Sequence, residues 1–173
     1  MGWVEYVEIS GTNMRLKAKL DTGAKTSSIH ARNIERYTKN EKQWVRFELQ
    51  VKGRDAYVDK SGKAHAAISE QTVRVEKPLS RVVKIKRHKQ TSIERPVVKM
   101  TLVLADHEHE VEFTLTDRSK FIYPVLLGRR FLKDVALVDP GKTFLTSNTN
   151  SPRPKKPATI PVTKSSQYKN TFQ

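Results

Sequence analysis

Met14, Leu16, Ala18 and Leu20 alternate with Arg15, Lys17 and Lys19, a period of two that a helix cannot gather onto one face. The segment is a half-buried strand, and it delivers Asp21 at its end. There Thr22-Gly23 turns the chain sharply, because glycine adopts backbone angles closed to other residues, and Ile29 begins an apolar return. A carboxylate at a strand end beside a tight turn suits catalysis. Asp-Thr-Gly is also ordinary turn chemistry, with Asp capping and Gly completing the turn. The triplet alone leaves both readings open.

A second stretch far downstream bears on the choice. Pro124-Val125-Leu126-Leu127-Gly128-Arg129-Arg130-Phe131-Leu132 reads as a buried apolar strand, a glycine that lets backbones pass closely, and the start of a short helix. Together the two stretches resemble the signatures of retropepsin-like aspartic proteases, Asp-Thr-Gly-Ala followed by two apolar residues and Gly-Arg. Leu20 to Ala31, Leu115-Thr116-Asp117-Arg118 and Tyr123 to Leu132 are similar to the bacterial family labelled an ATP-dependent zinc protease, of the RimK-associated type, over Trp3 to Asp139. The resemblance implies a mostly β, retropepsin-like closed barrel, the acid-protease fold, with one short helix after Leu126-Leu127-Gly128-Arg129.

At 173 residues the chain is long enough for one domain with a sizeable core and short for two. We place the folded domain at residues 1–146. Residues 147–173 hold Pro152, Pro154, Pro157 and Pro161 in polar, basic surroundings and are read as a disordered tail. No run approaches the roughly 18 apolar residues of a bilayer span. The start, Met1-Gly2-Trp3-Val4-Glu5, lacks a signal pattern, so a soluble, cytoplasmic protein without a membrane partner is expected. The absence of cysteine excludes disulfides, thiolate zinc sites and a cysteine nucleophile. A net charge of +15, from 33 Lys and Arg against 18 Asp and Glu, favours anionic partners such as ribosomes, RNA or acidic polypeptides.

Trp3–Ile9 and the strand ending at Asp21 form a first hairpin across Gly11-Thr12-Asn13. Ala31, Ile34 and Tyr37 stand at helical spacing, which suggests a single helical turn after a short strand. Phe47, Leu49 and Val51 alternate as a strand to which Ala56-Tyr57-Val58 could return, before a polar loop at 59–63. Residues 64–81 are ambiguous. Arg81–Ile85 and Ile93–Met100 flank a basic tip, and the hairpin at about 81–97 occupies the place of a retropepsin flap. Lys99–Leu104 and Val111–Thr116 make the clearest hairpin. After the short helix come Val135-Ala136-Leu137-Val138, a turn at Asp139-Pro140-Gly141 and an apolar patch at Phe144-Leu145.

Aspartic peptidases need two carboxylates that share one proton, one activating water and the other polarising the scissile carbonyl. This chain carries a single Asp-Thr-Gly. The resemblance therefore implies an isologous homodimer in which Asp21 of each copy meets across the axis, with Thr22 bonding across it and Gly23 admitting the backbone of a polypeptide substrate. Ala24 offers no hydroxyl to the carboxylate, which predicts a near-neutral working pH. Lys25 stands where such enzymes commonly carry an Asp that holds substrate and pairs with the Gly-Arg arginine, so Arg129 needs another partner, for which Asp117 is the candidate. Lys86, Arg87 and Lys89 at the flap tip either grip an acidic substrate or lie in solvent.

The sequence gives no reason to expect a cofactor or metal. His107-Glu108-His109-Glu110 lacks the helical His-Glu-x-x-His spacing of a zincin, His30 and His65 are isolated, and no glycine-rich loop supports nucleotide binding. Two functions stay in contention: a dimeric aspartic endopeptidase, and a module on the same fold that binds peptides or ribonucleoprotein without cutting.

Overall fold

The computed structural model describes residues 1–53, 55–58, 62, 64–67, 69–87 and 90–146, and of residues 65, 86, 87, 90 and 91 only the backbone. The predicted first hairpin is present as β1 (Gly2–Ile9) and β2 (Met14–Asp21), antiparallel from Val4↔Lys19 to Ile9↔Met14. Thr12 closes its turn by donating from N and Oγ1 to the Ile9 carbonyl at 3.1 and 2.8 Å. Alternation decides which side faces inward. Met14, Leu16, Ala18 and Leu20 are buried while their neighbours reach the surface.

Next in order come β3 (Ser27–His30), β4 (Arg32–Lys39), β5 (Lys42–Val51), β6 (Tyr57–Val58), β7 (Ala64–His65), β8 (Gln71–Arg87), β9 (Gln90–Leu104) and β10 (His107–Thr116). The described chain ends with β11 (Val125–Gly128), α1 (Arg129–Leu132) and β12 (Asp139–Thr143). Strands run β1-β2-β11-β3-β10-β9, and β9 returns to β1 through Glu8↔Val103 and Ile9↔Leu102, closing a ring of strands around the core. The expected closed barrel is thus a ring with one narrow seam. Met14, Ile29, Leu102, Phe113, Leu115 and Leu127 from its strands, with Phe47 of β5, belong to one core cluster, each almost fully shielded and each contributing roughly 1.5–3 kcal/mol of burial.

Three local expectations fail. Residues 32–39 form strand β4 with no helical turn, since antiparallel pairing with β5 satisfies their backbone, and Ile34 and Tyr37 fall on opposite faces of the strand. Tyr57–Val58 pairs with Ala64–His65 instead of returning along Val51, a place taken by β8 over Gln71–Pro78. Asp139-Pro140-Gly141 is part of β12, a parallel partner of β1, and not a free turn. Pro140 is tolerated because β12 is an edge strand, where one N–H faces no neighbour.

The hairpin read as a flap is present as the paired arms of β8 and β9, from Leu79↔Val98 to Arg87↔Gln90. Lys89, the side chains of Lys86 and Arg87, and the tail from residue 147 lie outside the described residues. β9 and β10 turn over Ala105 and Asp106, both with positive φ, so the loop expected at 105–110 shrinks to two residues. No helix among the described residues is long and apolar enough to cross a membrane.

Candidate active site

The two stretches that stand about a hundred residues apart in sequence lie side by side. β11 runs parallel to β2 with Leu127 opposite Leu20 and Gly128 opposite Asp21. Gly128 is there for space: a Cβ on it would sit 2.6 Å from the carbonyl carbon and oxygen of Thr26 and 2.8 Å from its nitrogen. That closeness lets the two segments bond. Gly128 N–H donates to Ser27 Oγ at 3.1 Å, Arg129 N–H to the Ala24 carbonyl at 2.8 Å and Arg130 N–H to the Lys25 carbonyl at 3.2 Å. The first N–H groups of α1, which have no helical acceptor, thus fix the loop from Asp21 to Thr26.

Within this loop Asp21 is partly exposed and its Oδ1 accepts the N–H groups of Gly23 and Ala24 at 3.0 and 3.2 Å. Its Oδ2 lies 3.0 Å from Lys19 Nζ. The Lys19 ammonium is the main reason the carboxyl is held below its ordinary value; burial works the other way, and the Gly23 and Ala24 N–H groups add to the lowering. Thr22, Gly23 and Lys25 are exposed and Ala24 is half-buried. Sequence reasoning passed over Lys19, although two residues along a strand is the same face and so within reach of the carboxylate.

A second corner forms behind the carboxylate. The Arg118 guanidinium donates to Ser28 Oγ at 3.1 Å and to the Tyr123 carbonyl at 3.3 Å, and its Cζ lies 4.5 Å from the centre of the Phe121 ring. Burial lowers its pKa and the charge of Asp21 raises it, which places the two within electrostatic reach. His30 Nδ1 accepts the Arg118 backbone N–H at 2.8 Å, so that nitrogen carries no proton. Burial also pushes its pKa down, and the 3.5 Å approach to Asp117 Oδ1 is therefore no ion pair near neutral pH. The expected Arg129–Asp117 pair is not made: Asp117 accepts Ser119 N–H at 2.8 Å and faces His30, while Arg129 is exposed with no ion pair among the described residues. The Asp117 carboxyl is thereby held in a turn of its own loop, too far committed to serve α1.

Two clefts flank the site. One of about 510 Å³ lies between β10 and α1 and includes Thr26, Ser27, His109 and Phe131. The other, about 490 Å³, lies between β4, β9 and β10 and includes Arg36, Arg95, Thr116 and Asp117. Asp21 lines neither of them. His109 packs edge-on against Phe131, and among the described residues no group of three or more His, Asp and Glu side chains is placed to hold a metal.

Comparison with known proteins adds three findings. The family model described as "RimB-like: Retropepsin-like aspartic endopeptidase RimB" matches residues 1–149. A "Probable alpha-L-glutamate ligase" of Shewanella halifaxensis is 34% identical over 135 residues, 78% of this chain and 27% of that protein; its namesake from Shewanella pealeana is 35% identical over 129 residues, 75% and 25%. The chain thus spans about a quarter of the length of these relatives, whose name is that of a ligase and not of a zinc protease. A crystal structure of the protein Lpg0085, of unknown function, from Legionella pneumophila shares the fold at a TM-score of 0.63 and 35% identity, covering 84% of this chain and 95% of that one.

Proposed function

The chain belongs to the RimB-like family of retropepsin-like aspartic endopeptidases, and on that premise we propose that two copies pair Asp21 across a two-fold axis to hydrolyse peptide bonds. The observation that carries this is a single, solvent-reachable carboxylate on a loop fixed from three directions, by its own backbone, by α1 and by Lys19. Such fixation positions a group for chemistry, whereas a plain surface turn needs none of it.

Two carboxyls about 3 Å apart cannot both ionise, so the pair holds one proton. The ionised Asp21 takes a proton from water, whose oxygen attacks the scissile carbonyl carbon. The protonated Asp21 of the other copy gives its proton to the carbonyl oxygen. Collapse of the resulting diol breaks the C–N bond, with a proton passed to the leaving amine and the dyad restored. Thr22 and Gly23, at the exposed tip of the loop, are the natural contacts for the second copy and for substrate backbone. Ala24 and Lys25 border the same path.

We assign acidic or ribosome-associated polypeptides as the substrate class. Support comes from the +15 charge and from relatives whose name is that of an alpha-L-glutamate ligase. A cytoplasmic setting follows from such a substrate. Lys86, Arg87 and Lys89 stay candidates for gripping it. The decisive experiment is Asp21→Asn: cleavage of an internally quenched peptide carrying a glutamate tract is lost while sedimentation still reports a dimer. A wild-type chain that remains monomeric at high concentration, or an Asp21→Asn variant that cuts as before, refutes the proposal. If no cleavage is found, the rival reading as a module that binds peptides or ribonucleoprotein takes its place, with the basic charge as its motivation.

A further inference from the structure

Position 24 is Ala, so the loop supplies only backbone donors to Asp21, and both go to Oδ1. Oδ2 is met by Lys19 Nζ at 3.0 Å. This contact is built into the sheet. Lys19 lies in the middle of three strands, opposite Val4 of β1 and Leu126 of β11, so its backbone has little freedom to carry the ammonium away. Its side chain is 39% exposed against 23% for Asp21, the geometry of a stem running along the sheet toward a partly sheltered carboxylate.

We propose that Lys19 is the positioning residue of the Asp21 dyad: its ammonium does for Oδ2 what a hydroxyl at position 24 would do, and keeps one of the two carboxyls ionised in the paired state. This rests on the dyad reading above. The groups facing Asp21 are Lys19 from its own strand, the Gly23 and Ala24 N–H groups from the loop, and Arg118 from the segment after β10. Both charged neighbours are cations. The direction follows: a nearby cation favours the ionised carboxyl, so the active singly protonated pair is held to lower pH than the pair would be by itself. The near-neutral working range expected from Ala24 is therefore offset by Lys19.

The test uses the full chain with Lys19→Met, which keeps the length of the stem and removes the charge, and Lys19→Arg, which keeps the charge. Two readings are taken: the titration of the Asp21 carboxyl by carbon NMR, and the pH profile of kcat/KM on an internally quenched peptide with a glutamate tract. In Lys19→Met the Asp21 titration and both limbs of the bell move to higher pH by about half a unit, the scale of a partly exposed ion pair. That shift is about a threefold loss of rate on the acid flank and a matching gain on the alkaline flank. Lys19→Arg retains the wild-type limbs, which a merely structural role would not require. An unchanged titration and unchanged limbs in Lys19→Met overturn the inference. A titration that moves while no cleavage depends on Asp21 overturns the dyad and leaves the Lys19–Asp21 coupling standing, so the two failures are told apart.

Discussion

Replacing Gly128 with Ala tests how tightly the two halves of the site are joined. The glycine has φ −90°, open to any residue, so the substitution carries no backbone strain and probes space alone. The new Cβ would lie 2.6 Å from two Thr26 atoms, where ordinary contact begins at 3.4 Å, so the Asp21 loop has to retreat by about 0.8 Å. No flexible side chain can yield, because the atoms met are backbone. A retreat of that size stretches the Arg129 N–H bond to Ala24 and the Gly128 N–H bond to Ser27, at about 1 kcal/mol each. Overpacking adds roughly 1–3 kcal/mol. We therefore expect about 3–5 kcal/mol of lost stability, read as a lower urea midpoint at unchanged slope, together with loss of any cleavage that depends on Asp21. A variant within about 0.5 kcal/mol of wild type, a change typical of an inconsequential surface substitution, would refute the close fit described between Gly128 and Thr26.

Other outcomes follow from buried polar groups. Glu5 has no exposed surface, and its carboxylate accepts Gly2 N–H at 2.7 Å and Leu145 N–H at 2.9 Å; Glu5→Ala should cost about 3 kcal/mol by equilibrium unfolding and speed amide exchange at Leu145. His30 is buried neutral with a lowered pKa, so the unfolded chain takes up its proton first as pH falls. Stability is full above the unfolded value near 6.5 and declines below it, and His30→Gln should flatten the urea-midpoint curve as pH falls below about 6.5. A His30→Gln curve identical to wild type would remove His30 from the acid sensitivity.

What could be read beforehand was whatever local pattern decides. The alternation from Met14 to Leu20 fixed β2 and its buried face, and Gly128 announced a close passage before its neighbour was known. Lys19 was legible in principle from the same alternation. Arg118 was visible only as part of a motif, because its anchors, Ser28 and Tyr123, come from separate segments. His30 looked isolated for the same reason. β4 and β12 were hidden because their residues carry no apolar face: Arg32–Lys39 and Asp139–Thr143 are strands on account of the neighbours they pair with. The Arg129–Asp117 pairing failed because charge complementarity in sequence says nothing about which partner a loop reaches first.

The joining of β12 to β1 limits how a second copy can approach. Asp139 N–H donates to the Met1 carbonyl and Phe144 N–H to the Val4 carbonyl, both at 2.8 Å, so the outer edge of β1 is already spent within one chain. The strand that now forms the border is five residues long, fully exposed and interrupted by Pro140, a poor template for further pairing. Two copies therefore cannot extend one another's sheet at this end unless β12 first lets go.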